Sequence, residues 1–197
     1  MKEFKDIKGA SEELNIAAKK LIGIELKHIE TFSDVKLIEL MMLEKDAASV
    51  KMYVTGILLK EKASLLSSKE MPREIEDINQ KSLSLLLESY LGDKRPINTD
   101  HAELINGLLK HFNAKIIPDH ICEKIVLYHE CNGNFAKAED MLFELIERNP
   151  SYIREGILFY ERLLEKTDSE LENGNLPRNE VEESILLLNA KLNAGNV

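Results

Sequence analysis

Apolar residues along this chain recur at helical, not strand, spacing. Ile105, Leu108, Leu109 and Phe112 fall at i, i+3, i+4 and i+7 behind Asp100 and Glu103, which predicts a helix over 100–112 opened by a capping box. Leu14, Ala17, Ala18, Leu21, Ile22 and Ile29 predict one running from a Ser11 cap to about residue 31. Ser33 and Asp34 restart a short helix carrying Val35, Leu37, Ile38, Leu40 and Met41. From Ala47 to Leu66 the stripe is Val50, Val54, Ile57, Leu58 and Leu65, and Ser67 to Arg73, with Pro72, breaks it. Ile75, Ile78, Leu83, Leu86, Leu87, Tyr90 and Leu91 mark the next helix, which Gly92 and the basic turn Asp93–Pro96 end.

Beyond Pro118 the pattern tightens. Ile121, Ile125, Val126 and Tyr128 lead to Gly133, and Ala138, Met141, Leu142, Leu145 and Ile146 lead to Pro150. A Ser151 cap opens a helix with Ile153, Ile157, Tyr160 and Leu164 inward. A longer connection follows, with a capping box expected at Ser169 and Glu172, a turn at Asn173–Asn175 and a restart at Pro177. Val181, Ile185, Leu188 and Leu192 give the last stripe. The sum is about nine helices and no strand.

Short connections make neighbouring helices antiparallel, and hairpins that each expose an apolar face must stack to bury it. The expected fold is all-α, with antiparallel hairpins stacked as an irregular tetratricopeptide-like (TPR-like) right-handed α-solenoid. Gly133 at the turn, Ala138 at the small position of the second helix and Pro150 at the end match a tetratricopeptide unit. Val126 and Leu145 stand where that unit carries small residues, so its two helices are expected further apart. The reading is of one domain over 1–197, with N-terminal helices at 11–45 and a degenerate repeat plus linking helix at 47–113. The best-defined hairpin is at 118–150 and a helix pair at 151–194.

AEDMLFELIE (Ala138–Glu147) and FYERLLEKTDSELENGNLPRNEVEESI (Phe159–Ile185) resemble the C-terminal region of an uncharacterised bacterial family of tetratricopeptide-like helical proteins. The likeness is good over about 118–192 and fades toward the N-terminus to a shared pattern of helices. It implies the fold and a bacterial cytoplasmic setting, and carries over no activity, cofactor or site residue.

Composition narrows the function classes. Hydrophobic residues make up 44% of the 197, enough for a sizeable core, while aromatics are 6% and Trp is absent, as in helical and not sandwich proteins. A formal charge of -9 opposes a polyanionic partner, so nucleic acid is not expected. The charged N-terminus has no signal-like apolar stretch, no apolar run nears the ~20 residues of a membrane span, and the expected location is the cytoplasm. Lys19, Lys20 and Lys27 beside an apolar stripe raise a membrane-surface alternative for 11–31, but Glu25 and Glu30 dilute that charge and favour packing.

Candidate chemistry is sparse. His120, Cys122, His129 and Cys131 invite a zinc reading, yet at 1.5 Å per residue on one helix they spread over more than ~10 Å, too far for one ion. The two cysteines point to opposite sides and are expected as reduced thiols. His28, His101 and His111 lack a catalytic arrangement and read as helix-surface or terminal histidines. The Glu139–Glu147 and Glu180–Glu183 acids read as solvated helix-turn acids, Met41, Met42, Met52 and Met71 as core filler, and no phosphate loop is present.

No cofactor and no metal are expected. The leading expectation is a non-enzymatic module that takes a peptide, helix or partner protein in a groove. Its contact residues are read as exposed positions on the first helices of pairs, namely Tyr53, Lys60, Lys124, Tyr128, His129, Arg154 and Tyr160. An enzyme or small-molecule binder with an inter-helical pocket is the alternative, and a homodimer through an uncapped end of the array is compatible with either.

Overall fold

The computed structural model describes residues 2–66, 71–92, 100–112 and 116–194, with side chains from residue 7 onward. It is all-helical among these residues, with eleven α-helices and no strand. They fall into two compact units, Met1–Phe112 and Asn113–Val197. The expected breaks at 67–70, within Ser67 to Arg73, and at the turn Asp93–Pro96 lie outside the described residues.

The first unit holds α1 (Lys2–Ile22), α2 (Leu26–Ile29), α3 (Asp34–Met42), α4 (Ala48–Leu65), α5 (Pro72–Gly92) and α6 (His101–Leu109). The single helix expected from 11 to 31 is two. Gly23, at φ +87, takes a left-handed conformation that ends α1 with its N–H on the Lys19 carbonyl, and the chain restarts at Leu26. Ser11 is therefore no cap but an interior residue of α1, its hydroxyl accepting from Lys62 Nζ at 3.1 Å. Ser33 does cap α3, accepting from the Lys36 N–H at 3.2 Å. Asp100 precedes α6 in helical conformation and makes no side-chain cap hydrogen bond, so the capping box expected with Glu103 does not form.

α4 is the centre of this unit. Met52, Tyr53, Thr55, Gly56, Leu58, Leu59 and Ala63 are all buried, whereas Val50 of the expected stripe is exposed. A one-stripe reading fails because α4 packs against α1, α3 and α5. Against α5 the approach is close: a Cβ on Gly56 would meet Leu86 Cγ at 2.7 Å. Ser82 Oγ donates to the Gly56 carbonyl at 2.6 Å and Ser89 Oγ to that of Ser49 at 2.7 Å, which fixes the pair antiparallel. Ala18, Ile22, Leu26 and Ile29 join the same core, so much of segment 11–31 packs inward.

The second unit holds α7 (Asp119–Cys131), α8 (Phe135–Arg148), α9 (Ile153–Leu164), α10 (Asp168–Asn173) and α11 (Arg178–Ala194). The α7–α8 turn is the one expected, with Gly133 at φ +68. Arg148 clasps the open end of this hairpin, donating to the Ile117 carbonyl at 2.8 Å and to Cys122 Sγ at 3.2 Å, and pairing with Asp119 at 3.2 Å. Ala138, Leu142, Leu145 and Ile146 are buried as expected, joined by Phe135, while Met141 is half-buried. Asn149, not Ser151, supplies the cap before α9: its side chain accepts from the Ser151 N–H at 3.1 Å over a 3-10 turn at Pro150–Tyr152.

α9 buries Ile153, Gly156, Phe159, Tyr160 and Leu163, leaving Ile157 and Leu164 half-buried. Gly156 sits where a Cβ would lie 2.7 Å from Leu188 Cδ1 of α11 and 3.1 Å from Ile146 Cδ1 of α8. Polar contacts and the buried Leu171 and Leu176 tie down the long connection to α11. Thr167 and Glu170 form a reciprocal capping box on α10, two residues before the Ser169–Glu172 pair read from sequence. Arg178 then reaches back to Asp168 and to the carbonyls of Leu164 and Lys166, satisfying the end of α9.

Candidate functional site

Of the seven positions expected on the surface, Tyr53 and Lys60 lie in the first unit and the other five in the second. Tyr53, Tyr128, His129 and Tyr160 are buried, which corrects their reading as exposed contacts. Each is an aromatic side chain whose ring fills the interior. Tyr53 stacks edge-on against His101 at 4.7 Å. Tyr160 donates its hydroxyl to Glu139 Oε1 at 2.5 Å, and Ser184 Oγ approaches the same oxygen at 3.5 Å. Burial outweighs these donors and pushes the Glu139 carboxyl above its usual range, and burial with that carboxylate raises Tyr160 as well. Lys60 is half-buried and pairs with Glu61, Lys124 is half-buried, and Arg154 alone of the seven is exposed.

His101 is no surface histidine. It is buried, with Nε2 3.0 Å from the Leu86 carbonyl and its ring edge-on to Tyr53 and Tyr90, and burial lowers its pKa. His129 is 9% exposed, its Nδ1 has no hydrogen-bond partner, and burial with nearby Lys137 pulls its pKa down to about 4. It lines a shallow cleft along α8 with Lys137, Asp140, Met141, Glu144 and Glu147. Cys122 is buried and Cys131 exposed, and both are free thiols. Burial raises the Cys122 thiol despite Arg148. Among the described residues no three of His, Cys, Asp and Glu are grouped to hold a metal ion.

A more coherent site lies between α7 and α9. Tyr152 donates its hydroxyl to Glu123 near the start of both helices. Arg162 donates Nε and Nη2 to the two oxygens of Glu130, each at 2.7 Å, near the end of both. These two bridges make α7 and α9 parallel and bracket a groove of about 160 Å³. Its floor is Val126, Leu142, Leu145 and Phe159, and its lips are Leu127 and Leu158, which are 44% and 52% exposed. Glu123 and Glu155 add carboxylates at one end.

Periodicity could not single out Leu127 and Leu158, because an outward leucine beside the stripe looks like its edge. The signal was parity between helices: each follows a glutamate, Glu123 and Glu155, by one turn, which a comparison of the two segments in register would expose.

Among the described residues no helix is long and apolar enough to cross a membrane. Neither the curated proteins nor the solved structures contain a significant match to the chain. A family model does match, over residues 35–193, and by it the chain belongs to a family of unknown function, DUF6483.

Proposed function

We propose that the protein is a non-enzymatic interaction module, TPR-like in its second unit, which receives a segment of a partner protein in the groove between α7 and α9. The observation that carries the reading is the pair of exposed leucines, Leu127 and Leu158, standing over an apolar floor between two parallel helices. Parallel first helices of successive hairpins, with their second helices behind, are the arrangement by which tetratricopeptide-like stacks present a binding surface. Ala138 at 0% exposure and the turn at Gly133 support the hairpin, and Gly156 supports close packing of the next one. The apolar lips would anchor a partner and the surrounding charges would select it.

A photo-reactive phenylalanine analogue placed at Leu158 tests this in native extract, with the same probe at Leu186 of α11 as the exposed comparison. A discrete adduct from position 158 alone is expected, lost when Leu127 is also changed to Ser. Identical adduct patterns from both positions would sink the assignment.

A further inference from the structure

Building on the groove reading, we propose that the occupant is a basic segment carrying one large apolar side chain. That side chain enters between Leu127 and Leu158, and lysine or arginine neighbours face the carboxylates at the N-terminal end of α7 and α9.

Volume sets the anchor. The groove's 160 Å³ is close to that of an engineered cavity of about 150 Å³ that accepts a benzene ring, so it admits one leucine, methionine or phenylalanine side chain and not a row of them. Val126, Leu142, Leu145 and Phe159 below offer it no polar partner.

Charge sets the flanks. Arg162 is the only cation lining the groove among the described residues, and its Nε–Nη2 edge is taken by the two oxygens of Glu130. At the other end Glu123 and Glu155 line the groove, with Asp119 one turn before Glu123. Arg148, paired with Asp119, offsets one of these three negative charges, and the two helix N-termini contribute about half a positive charge each. Among the groove-lining residues, Glu123 and Glu155 against the two helix ends leave about one net negative charge, with the exposed Arg154 and half-buried Lys124 standing outside the lining. The wider field has the same sign: residues 113–197 carry sixteen Asp and Glu against nine Lys and Arg. Such a field speeds encounter with a cationic segment and disfavours an acidic one.

The test is fluorescence anisotropy on the full chain with two labelled synthetic peptides, one of leucine and lysine at helical spacing and one with glutamate in place of every lysine. The expected result is binding of the lysine peptide that weakens with salt. It falls about tenfold in Leu127→Ser/Leu158→Ser, the loss of one buried apolar contact, and falls less in Glu123→Gln/Glu155→Gln. Circular dichroism melting of each variant confirms that it is folded. Glutamate peptide bound as tightly, with the same dependence on Leu127 and Leu158, would overturn the basic-segment inference and leave the groove reading standing. Lysine peptide bound equally by the Leu127→Ser/Leu158→Ser variant would overturn both for this site. Binding of neither peptide would overturn the inference alone, since cross-linking from Leu158 tests the groove separately. Preferential, leucine-dependent capture of phosphatidylglycerol vesicles over either peptide would overturn it in favour of a membrane surface.

Discussion

Gly174 lies against Phe135 so closely that a Cβ on it would stand 2.3 Å from Phe135 Cδ2 and 2.8 Å from the Gly133 carbonyl oxygen. The Gly174 carbonyl also accepts from the Ala136 N–H at 3.0 Å, satisfying a free donor in the first turn of α8. The long connection between α9 and α11 thus closes over the turn of the α7–α8 hairpin.

Gly174→Ala is expected to lower stability by about 1–3 kcal/mol, because a backbone atom as well as the Phe135 ring must move. Its φ of −81 is open to any residue, so the cost is one of space and not of conformation. Urea unfolding measures it, and a midpoint unchanged from the parent would refute the close fit.

Gly107→Ala is the contrasting case. A Cβ at Gly107 meets nothing within 4 Å inside α6, so replacing the glycine removes backbone freedom from the unfolded chain without a clash. A gain of up to about 1 kcal/mol is expected, read from the same unfolding curves.

The contrast between these glycines shows what the chain disclosed in advance. Gly133 was legible because a turn with positive φ leaves a compositional mark. Gly174 was not, because its role depends on Phe135, distant in sequence. The same division runs through the helix starts. Ser33 announced α3, but in the α9–α11 connection both Thr167–Glu170 and Ser169–Glu172 have the spacing of a capping box. Only the first forms, and in that register α10 buries Leu171. The all-α class was legible from periodicity alone. The groove was not, since it arises from the parallel setting of α7 and α9 and from which outward leucines happen to face each other.

Acidification should weaken the fold through His129. Its pKa falls from the usual 6.5 to about 4 on folding, so between those values the unfolded chain takes up a proton that the folded chain refuses. Stability should therefore drop as pH falls from 6.5 toward 4, by about 3 kcal/mol at the full extent of the shift. His101, lowered in the same direction, adds to the slope. Comparing urea unfolding of the parent and His129→Leu at several pH values isolates the contribution, and parallel pH profiles for the two would rule it out.

Tyr160→Phe should cost about 1–3 kcal/mol near neutral pH, since it strips the half-buried Glu139 carboxylate of its closest donor. The Glu139 pKa, already raised, would rise further, so the deficit should shrink on acidification as the carboxyl protonates. Unfolding of the variant across pH reads both effects. A deficit independent of pH would point to lost packing instead.

The bridges from Tyr152 to Glu123 and from Arg162 to Glu130 set the separation of α7 and α9 at two heights along the groove. A slot whose width is fixed before anything enters it loses little conformational entropy on occupancy, and the ordering cost falls on the incoming segment. Rigidity of that kind rewards a guest that is already folded over one that must fold on arrival.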